Sequence, residues 1–135
     1  MSQDFFDDVG KFHEKMGLPV SDGDGVLFIP PEQFNFRVNF IFEELRELIQ
    51  AYSVDDPVAV ADALVDLVYV ALGTAHYFNL PFNRLWDEVH RSNMEKRRWQ
   101  PGDPIKPRAA ASLDVVKPDG WTPPDLVKVL FDHGS

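Results

Sequence analysis

The sequence contains no cysteine among its 135 residues, and this absence excludes disulfides and thiolate metal sites. Any metal ion that the protein binds must therefore be held by carboxylates, histidines or carbonyl oxygens. Basic residues are also few, because 13 lysines and arginines stand against 22 aspartates and glutamates, which gives a net charge of −9. This balance disfavours general nucleic-acid binding through phosphates, so no nucleic-acid partner is expected.

The sequence also lacks a leader-like start and a convincing membrane segment. Three aspartates within the first eight residues stand where a secretory signal would carry basic and then apolar residues. The most apolar stretch, 57–80, contains Asp62 and Asp66. Each of these would cost roughly 2.5 to 3.5 kcal/mol at the centre of a membrane. We therefore expect a soluble protein with a buried apolar helix and no membrane partner.

The length predicts a single domain over residues 1–135, and 44% apolar residues are enough to form a core. Apolar spacing, prolines and Asp caps predict four helices and a short closing helix, over residues 3–16, 32–53, 57–78, 82–97 and the stretch PPDLVKVLF. We expect a core at 32–98, then a C-terminal loop and short helix at 99–135, with a strand-like piece at Val115–Val116. The predicted fold class is all-α, a four-to-five-helix bundle.

Two neighbouring predicted helices each carry a tight acidic cluster. Glu43, Glu44 and Glu47 interrupt the apolar stretch NFIFEELRELIQAY, and Asp62 and Asp66 fall in the next helix. Residues three or four apart share a helix face. Facing positions in an antiparallel pair have a nearly constant sum of residue numbers, so Glu47 lies level with Asp62. Glu43 lies level with Asp66 in the same way, and Glu44 lies level with Asp66 to within one residue. Four or five carboxylates converge if both faces point inward.

Carboxylates at this density repel one another unless a cation neutralises them. Oxygen ligands of this kind suit Mg²⁺ or Mn²⁺. A solvated acidic face is the alternative, and the apolar surroundings of Asp62 and Asp66 disfavour it. A di-iron bundle would need Glu-x-x-His on two helices, and only Asp87-x-x-His90 comes close. The pattern thus favours a site for hard divalent cations.

Four stretches in order resemble a known family. They are Glu43-Glu44-x-x-Glu47, DALVDLVYVALGTA at 62–75, EVHRSNMEK at 88–96 and VVKPDGWTPPDL at 115–126. Together they are similar to the all-α nucleoside triphosphate pyrophosphohydrolases, the MazG-like and phosphoribosyl-ATP pyrophosphohydrolase-like proteins, and to their short phage-type members. The family's second motif is commonly Glu-x-x-Asp, whereas Ala63 stands three residues before Asp66 here.

The resemblance implies that a nucleoside triphosphate is cut between its α and β phosphates, giving a monophosphate and pyrophosphate. It implies two or three Mg²⁺ or Mn²⁺ ions per site, held by Glu44, Glu47 and Asp66. Asp62 would join them in place of the missing glutamate. Glu43 is the candidate catalytic residue that orients or deprotonates the attacking water. A bacterial or phage-infected host cytoplasm is the expected location.

The basic late segment of the chain suits an anionic ligand. Similar proteins use the positions of Asn93 and Lys96 to contact phosphates, and Lys117 is a further substrate-phosphate candidate from the loop. Trp121 either stacks on a base or packs. A purine dNTP such as dGTP is the favoured substrate, with dUTP, a damaged nucleotide, phosphoribosyl-ATP or a nucleotide sugar as alternatives.

Too many sides of the 57–78 helix are apolar for one chain to cover, which predicts that the protein forms an oligomer. The resemblance implies a homodimer or homotetramer. The competing class of function is a non-catalytic helical module that buries its acids against a basic partner.

Overall fold

The computed structural model describes residues 3–104 and 114–132. Five helices and two short strands follow one another, namely α1 Phe5–Met16, α2 Pro31–Ser53, α3 Pro57–Tyr77, α4 Phe82–Met94, β1 Arg97–Arg98, β2 Val115–Val116 and α5 Leu126–Phe131. The all-α class is confirmed. The chain divides into two compact units, Met1–Phe82 and Asn83–Ser135.

Helices α2 and α3 pack along each other as an antiparallel pair that forms the centre of the first unit. The turn between them is short because each step is specified locally. The side chain of Asp56 accepts a hydrogen bond from the Ala59 amide at 3.0 Å, and Pro57 occupies the first helical position. Asp55 adopts a left-handed conformation with φ of 54°, which reverses the chain after α2.

Several polar side chains are buried in the core of the first unit. Arg37 is buried and donates to the Val70 carbonyl at 3.0 Å and to the Thr74 hydroxyl at 3.2 Å. The buried ring of His13 lies 5.3 Å from that of His76. All of these groups come from helices α1, α2 and α3, so the place where the three helices meet is lined by hydrogen bonds rather than by apolar contacts alone.

His76 ties the N-terminal part of the chain to α3. Its Nε2 lies 2.9 Å from the Phe6 carbonyl, its Nδ1 accepts from the Ser21 amide at 2.9 Å, and its ring stacks on Phe6. Burial lowers the pKa of His76, because water no longer solvates the charged ring. The neutral imidazole is therefore the form that this packing stabilises.

Helix α3 exposes apolar side chains, as expected for a helix with more apolar sides than one chain can cover. Val58, Leu64, Val65 and Val68 are all exposed in the single chain. By length and composition alone α3 is long and apolar enough to cross a membrane, and 28% of its most apolar window is buried. In the single chain, α1 and α2 therefore leave part of α3 uncovered.

The second unit is held together by ion pairs and by a short hairpin. Arg91 on α4 pairs with Glu88 at 2.7 Å and with Glu95 at 2.8 Å. Glu88 in turn accepts from the Asp125 amide at the start of α5. These contacts explain why α4 belongs with the C-terminal segment. Helix α4 ends three residues earlier than predicted, because 97–98 pair with 115–116 as antiparallel strands.

The strand-like piece predicted at Val115–Val116 is confirmed as β2, whereas β1 was not foreseen. The closing helix is also confirmed, over a shorter range. Of the long loop predicted after α4, residues 105–113 lie outside the described part of the chain.

Candidate metal centre

Three carboxylates from two helices meet in the first unit. Glu44 and Glu47 lie one turn apart on α2, and Asp66 lies on α3. One oxygen atom from each of the three lies within 4.8 Å of the others. The antiparallel pairing of α2 and α3 produces this approach, as the residue-number argument predicted for Glu44 and Asp66.

Glu44 is the buried member of this carboxylate set, with 8% of its surface exposed. Its Oε2 atom has no hydrogen-bond partner in the described residues. Burial raises the pKa of Glu44 to about 7, and the negative charges of Glu47, Asp66 and Glu43 add to this effect. A buried, unpartnered carboxylate oxygen beside two further carboxylates is a costly arrangement for the protein alone.

The chemistry of these donors fits a hard divalent cation. Three carboxylates supply oxygen ligands, and the free Oε2 atom of Glu44 offers an unused lone pair to an ion. An ion bound there would offset both the lost solvation and the repulsion among the like charges. The arrangement suits Mg²⁺ or Mn²⁺ better than Zn²⁺, because no sulfur or nitrogen ligand belongs to the set.

Two other predicted acids stand outside this set. Glu43 is exposed on α2, although its charge contributes to the raised pKa of Glu44. Asp62 is exposed on α3, whereas the next residue, Ala63, is 3% exposed and part of the core. A buried alanine therefore occupies the position where similar proteins carry a glutamate. The structure does not bring Asp62 together with Glu44, Glu47 and Asp66.

The predicted phosphate-binding residues all lie in the second unit. Asn93 is exposed near the end of α4, and its carbonyl accepts from the Lys96 amide at 3.1 Å. The Nζ atoms of Lys96 and Lys117 lie 5.6 Å and 4.8 Å from the ring centroid of Trp121. The indole Nε1–H of Trp121 donates to the Ser92 carbonyl at 2.6 Å. These contacts hold the ring of Trp121 in place, and its stacking on a base stays a prediction.

Sequence reasoning did not identify the buried group of Arg37, His13 and His76 near the other end of the α2–α3 pair. A signal was present for Arg37, which lies four residues before Ile41 on the apolar stripe of α2. No comparable signal existed for His76, because its partners Phe6 and Ser21 are distant in the sequence.

The helices of the described residues define an all-α protein in which carboxylates from an antiparallel pair converge on a cluster that could hold a metal ion. The family model for phosphoribosyl-ATP pyrophosphohydrolase matches residues 9–93, and the chain belongs to that family, within the MazG-like all-α NTP pyrophosphohydrolase superfamily. It is thus a nucleotide pyrophosphohydrolase, a hydrolase acting on acid anhydrides. No curated protein matches the chain.

The matched range includes all five predicted acids and Asn93, and it ends before Lys96, Lys117 and Trp121. The family match therefore covers the acidic centre but not the two lysines of the second unit.

Proposed function

We propose that the enzyme hydrolyses a nucleoside triphosphate between the α and β phosphates, with a purine dNTP such as dGTP as the favoured substrate. The products are a nucleoside monophosphate and pyrophosphate. The observation that supports this best is the set of Glu44, Glu47 and Asp66, with its unpartnered buried oxygen, inside the range that matches the family. Such a centre gains most from an ion that also binds phosphate oxygens.

In this proposal Glu44, Glu47 and Asp66 hold Mg²⁺ or Mn²⁺, and Asp62 is a further ligand if more than one ion binds. Bound there, such ions would supply positive charge against the phosphate groups and would make a nearby water more acidic. Glu43 is exposed beside the buried Glu44, and it accepts the proton of the attacking water.

The proposed assembly is a homodimer or homotetramer. Exposed apolar side chains on both α2 and α3 support it, among them Phe42, Ile49, Val65 and Val68. Large apolar side chains exposed on two packed helices are typical of a surface that another chain covers. Analytical ultracentrifugation measures the assembly, and a monomer at micromolar concentration would contradict this part of the proposal.

Phosphoribosyl-ATP is the second candidate substrate, because it appears in the description of the matching family. Its cleavage would use the same acidic centre and would also release pyrophosphate. A substrate panel distinguishes the two candidates. It contains the four common dNTPs, dUTP, the NTPs and phosphoribosyl-ATP, each assayed with Mg²⁺ and with Mn²⁺.

The expected result is one monophosphate and one pyrophosphate per turnover, with the highest kcat/KM for a purine dNTP. Release of orthophosphate instead would contradict cleavage between the α and β phosphates. Glu47→Gln should abolish turnover while leaving the helical content intact. Glu32→Gln is the matched control, because it makes the same exchange at an exposed position of α2 outside the carboxylate set. Full activity in Glu47→Gln would show that the metal assignment is wrong.

A further inference from the structure

Two lysines of the second unit share one aromatic ring. Lys96 follows α4 and Lys117 follows β2, and both Nζ atoms lie within 6 Å of the centroid of the Trp121 ring. This is the range in which an ammonium group is attracted to the negative face of an indole. The distance between the Nζ atoms of Lys96 and Lys117 is therefore no larger than the sum of their two distances to the Trp121 ring centroid.

The hairpin register explains why the two lysines meet. Arg97 pairs with Val116, and continuing this antiparallel register by one residue places Lys96 across from Lys117. Like charges directly opposite each other on paired strands repel and destabilise the pairing. The indole of Trp121 offsets part of that repulsion, and an anion bound between the ammonium groups would offset the remainder.

Trp121 is itself held firmly in place. Its indole Nε1–H donates to the Ser92 carbonyl at 2.6 Å, and Ser92 is 1% exposed. Its backbone amide donates to the Pro118 carbonyl at 3.0 Å, across a turn in which Gly120 has φ of 79°. The ring is thus anchored on α4 and on the segment that follows β2, the two segments that carry the lysines.

The charges of the neighbouring arginines are already neutralised. Arg91 pairs with Glu88 and Glu95, and Arg97 pairs with Asp103. Within residues 3–104 and 114–132, neither Lys96 nor Lys117 forms an ion pair with a carboxylate. The two lysines therefore keep their charge available for a ligand.

We propose that Trp121 is a positioning residue that holds Lys96 and Lys117 together as a two-ammonium site for a polyphosphate chain. Lysines bind phosphate oxygens as point charges, and a chain of linked phosphates offers several such oxygens to two neighbouring ammonium groups. This inference rests on the proposed function, because the ligand would be the phosphate chain of the substrate or the pyrophosphate product. It adds a residue outside the range that matches the family.

The test measures binding of inorganic tripolyphosphate to the full-length protein in the presence of a chelator, so that no metal ion contributes. Calorimetry gives the affinity, and the indole Nε1–H signal of Trp121 in a ¹H–¹⁵N spectrum reports the site. Trp121→Leu removes the ring face and should weaken binding about tenfold. Trp121→Phe keeps an aromatic face without the N–H group and should retain most of the affinity.

Two further variants make the test independent of folding defects. Lys117→Gln changes an exposed side chain and should weaken tripolyphosphate binding as much as Trp121→Leu does. Trp86→Leu is the matched control, because Trp86 is an exposed tryptophan on α4, and its variant should bind like the wild type. During turnover Trp121→Leu should raise KM about tenfold and change kcat less than about twofold.

Wild-type affinity in Trp121→Leu would overturn the proposal, and so would a loss of affinity in Trp121→Phe as large as that in Trp121→Leu. The outcome separates this inference from the proposed function. Tripolyphosphate binding at Trp121 without hydrolysis of any nucleotide would overturn the proposed reaction alone. Nucleotide hydrolysis that is unaffected in both Trp121→Leu and Lys117→Gln would overturn the two-ammonium site alone.

Discussion

Glu44→Gln should stabilise the metal-free protein and at the same time abolish its stabilisation by metal ions. The variant keeps the shape of the side chain and removes a buried charge that three neighbouring acids repel and whose Oε2 atom has no hydrogen-bond partner within the described residues. Without a bound metal ion, the ionised side chain of Glu44 is therefore expected to destabilise the folded state.

The magnitude follows from the pKa of Glu44, which rises from 4.5 to about 7 in the folded protein. Each pKa unit corresponds to about 1.4 kcal/mol, so the folded state loses at most about 3.5 kcal/mol when Glu44 ionises. A raised pKa means that the folded state binds the proton more tightly than the unfolded state does. The contribution is thus fully present below about pH 4.5 and is lost as the pH rises through about 7.

A buried glutamine amide is imperfectly solvated too, so we expect a net gain of about 1 to 2 kcal/mol for the variant at pH 8. For a chain of this size that gain raises Tm by roughly 3 to 8 °C. Scanning calorimetry with a chelator at pH 8 and at pH 5 measures it, and the difference from wild type should nearly vanish at pH 5. Adding Mn²⁺ should raise the Tm of the wild type and leave that of the variant unchanged.

Glu32→Gln again provides the control, since its effect on Tm should be small at both pH values. If Glu44→Gln is less stable than the wild type at pH 8 in chelator, the expectation that ionised Glu44 destabilises the metal-free fold is wrong. That result would mean that burial and charge repulsion at Glu44 are compensated by contacts with the carboxylate.

Two further predictions concern the polar core of the first unit. Gly73→Ala should destabilise the protein by about 1 to 3 kcal/mol in urea unfolding, although alanine normally favours a helix, because its Cβ would lie 2.7 Å from Arg37 Nη2 and 2.9 Å from His13 Nε2. The lowered pKa of His76 means that the unfolded state binds more protons below about pH 6.5, so its contribution to stability falls as the pH drops through that value. Urea unfolding between pH 7.5 and 5.5 should show this fall in stability in the Glu44→Gln background, where the opposite titration of Glu44 is absent. Adding His76→Phe should make the fall in stability less steep. An equally steep fall with His76→Phe would mean that another group causes it.

Local signals in the sequence were sufficient to predict the helices and the meeting of the two acidic clusters. Pro57 and Asp56 specify where α3 begins, and that start fixes its register against α2. Because the turn is short, the alignment of Glu44 with Asp66 follows from counting residues, and the structure shows these two acids together with Glu47. This part of the site depends only on helix geometry and on one turn.

The remainder depends on contacts between distant residues, which residue counting does not supply. Asp62 and Ala63 differ by about 100° around the helix, and only the packing of α3 decides which of them faces inward. The end of α4 at Met94 is set by pairing with Val115–Val116, about twenty residues later. The burial of Arg37 depends on carbonyl and hydroxyl partners on another helix.

The turn at Val54–Asp56 has a consequence for how such proteins can vary in length. Surface turns usually tolerate insertions at little thermodynamic cost. Here one added residue would either break the cap formed by Asp56 or shift α3 by about 1.5 Å and rotate it by about 100° relative to α2. Asp66 would then no longer lie beside Glu44 and Glu47, although α2 and α3 could both still form. Insertions and deletions at this turn should therefore be selected against because they separate the three carboxylates, even where the chain still folds.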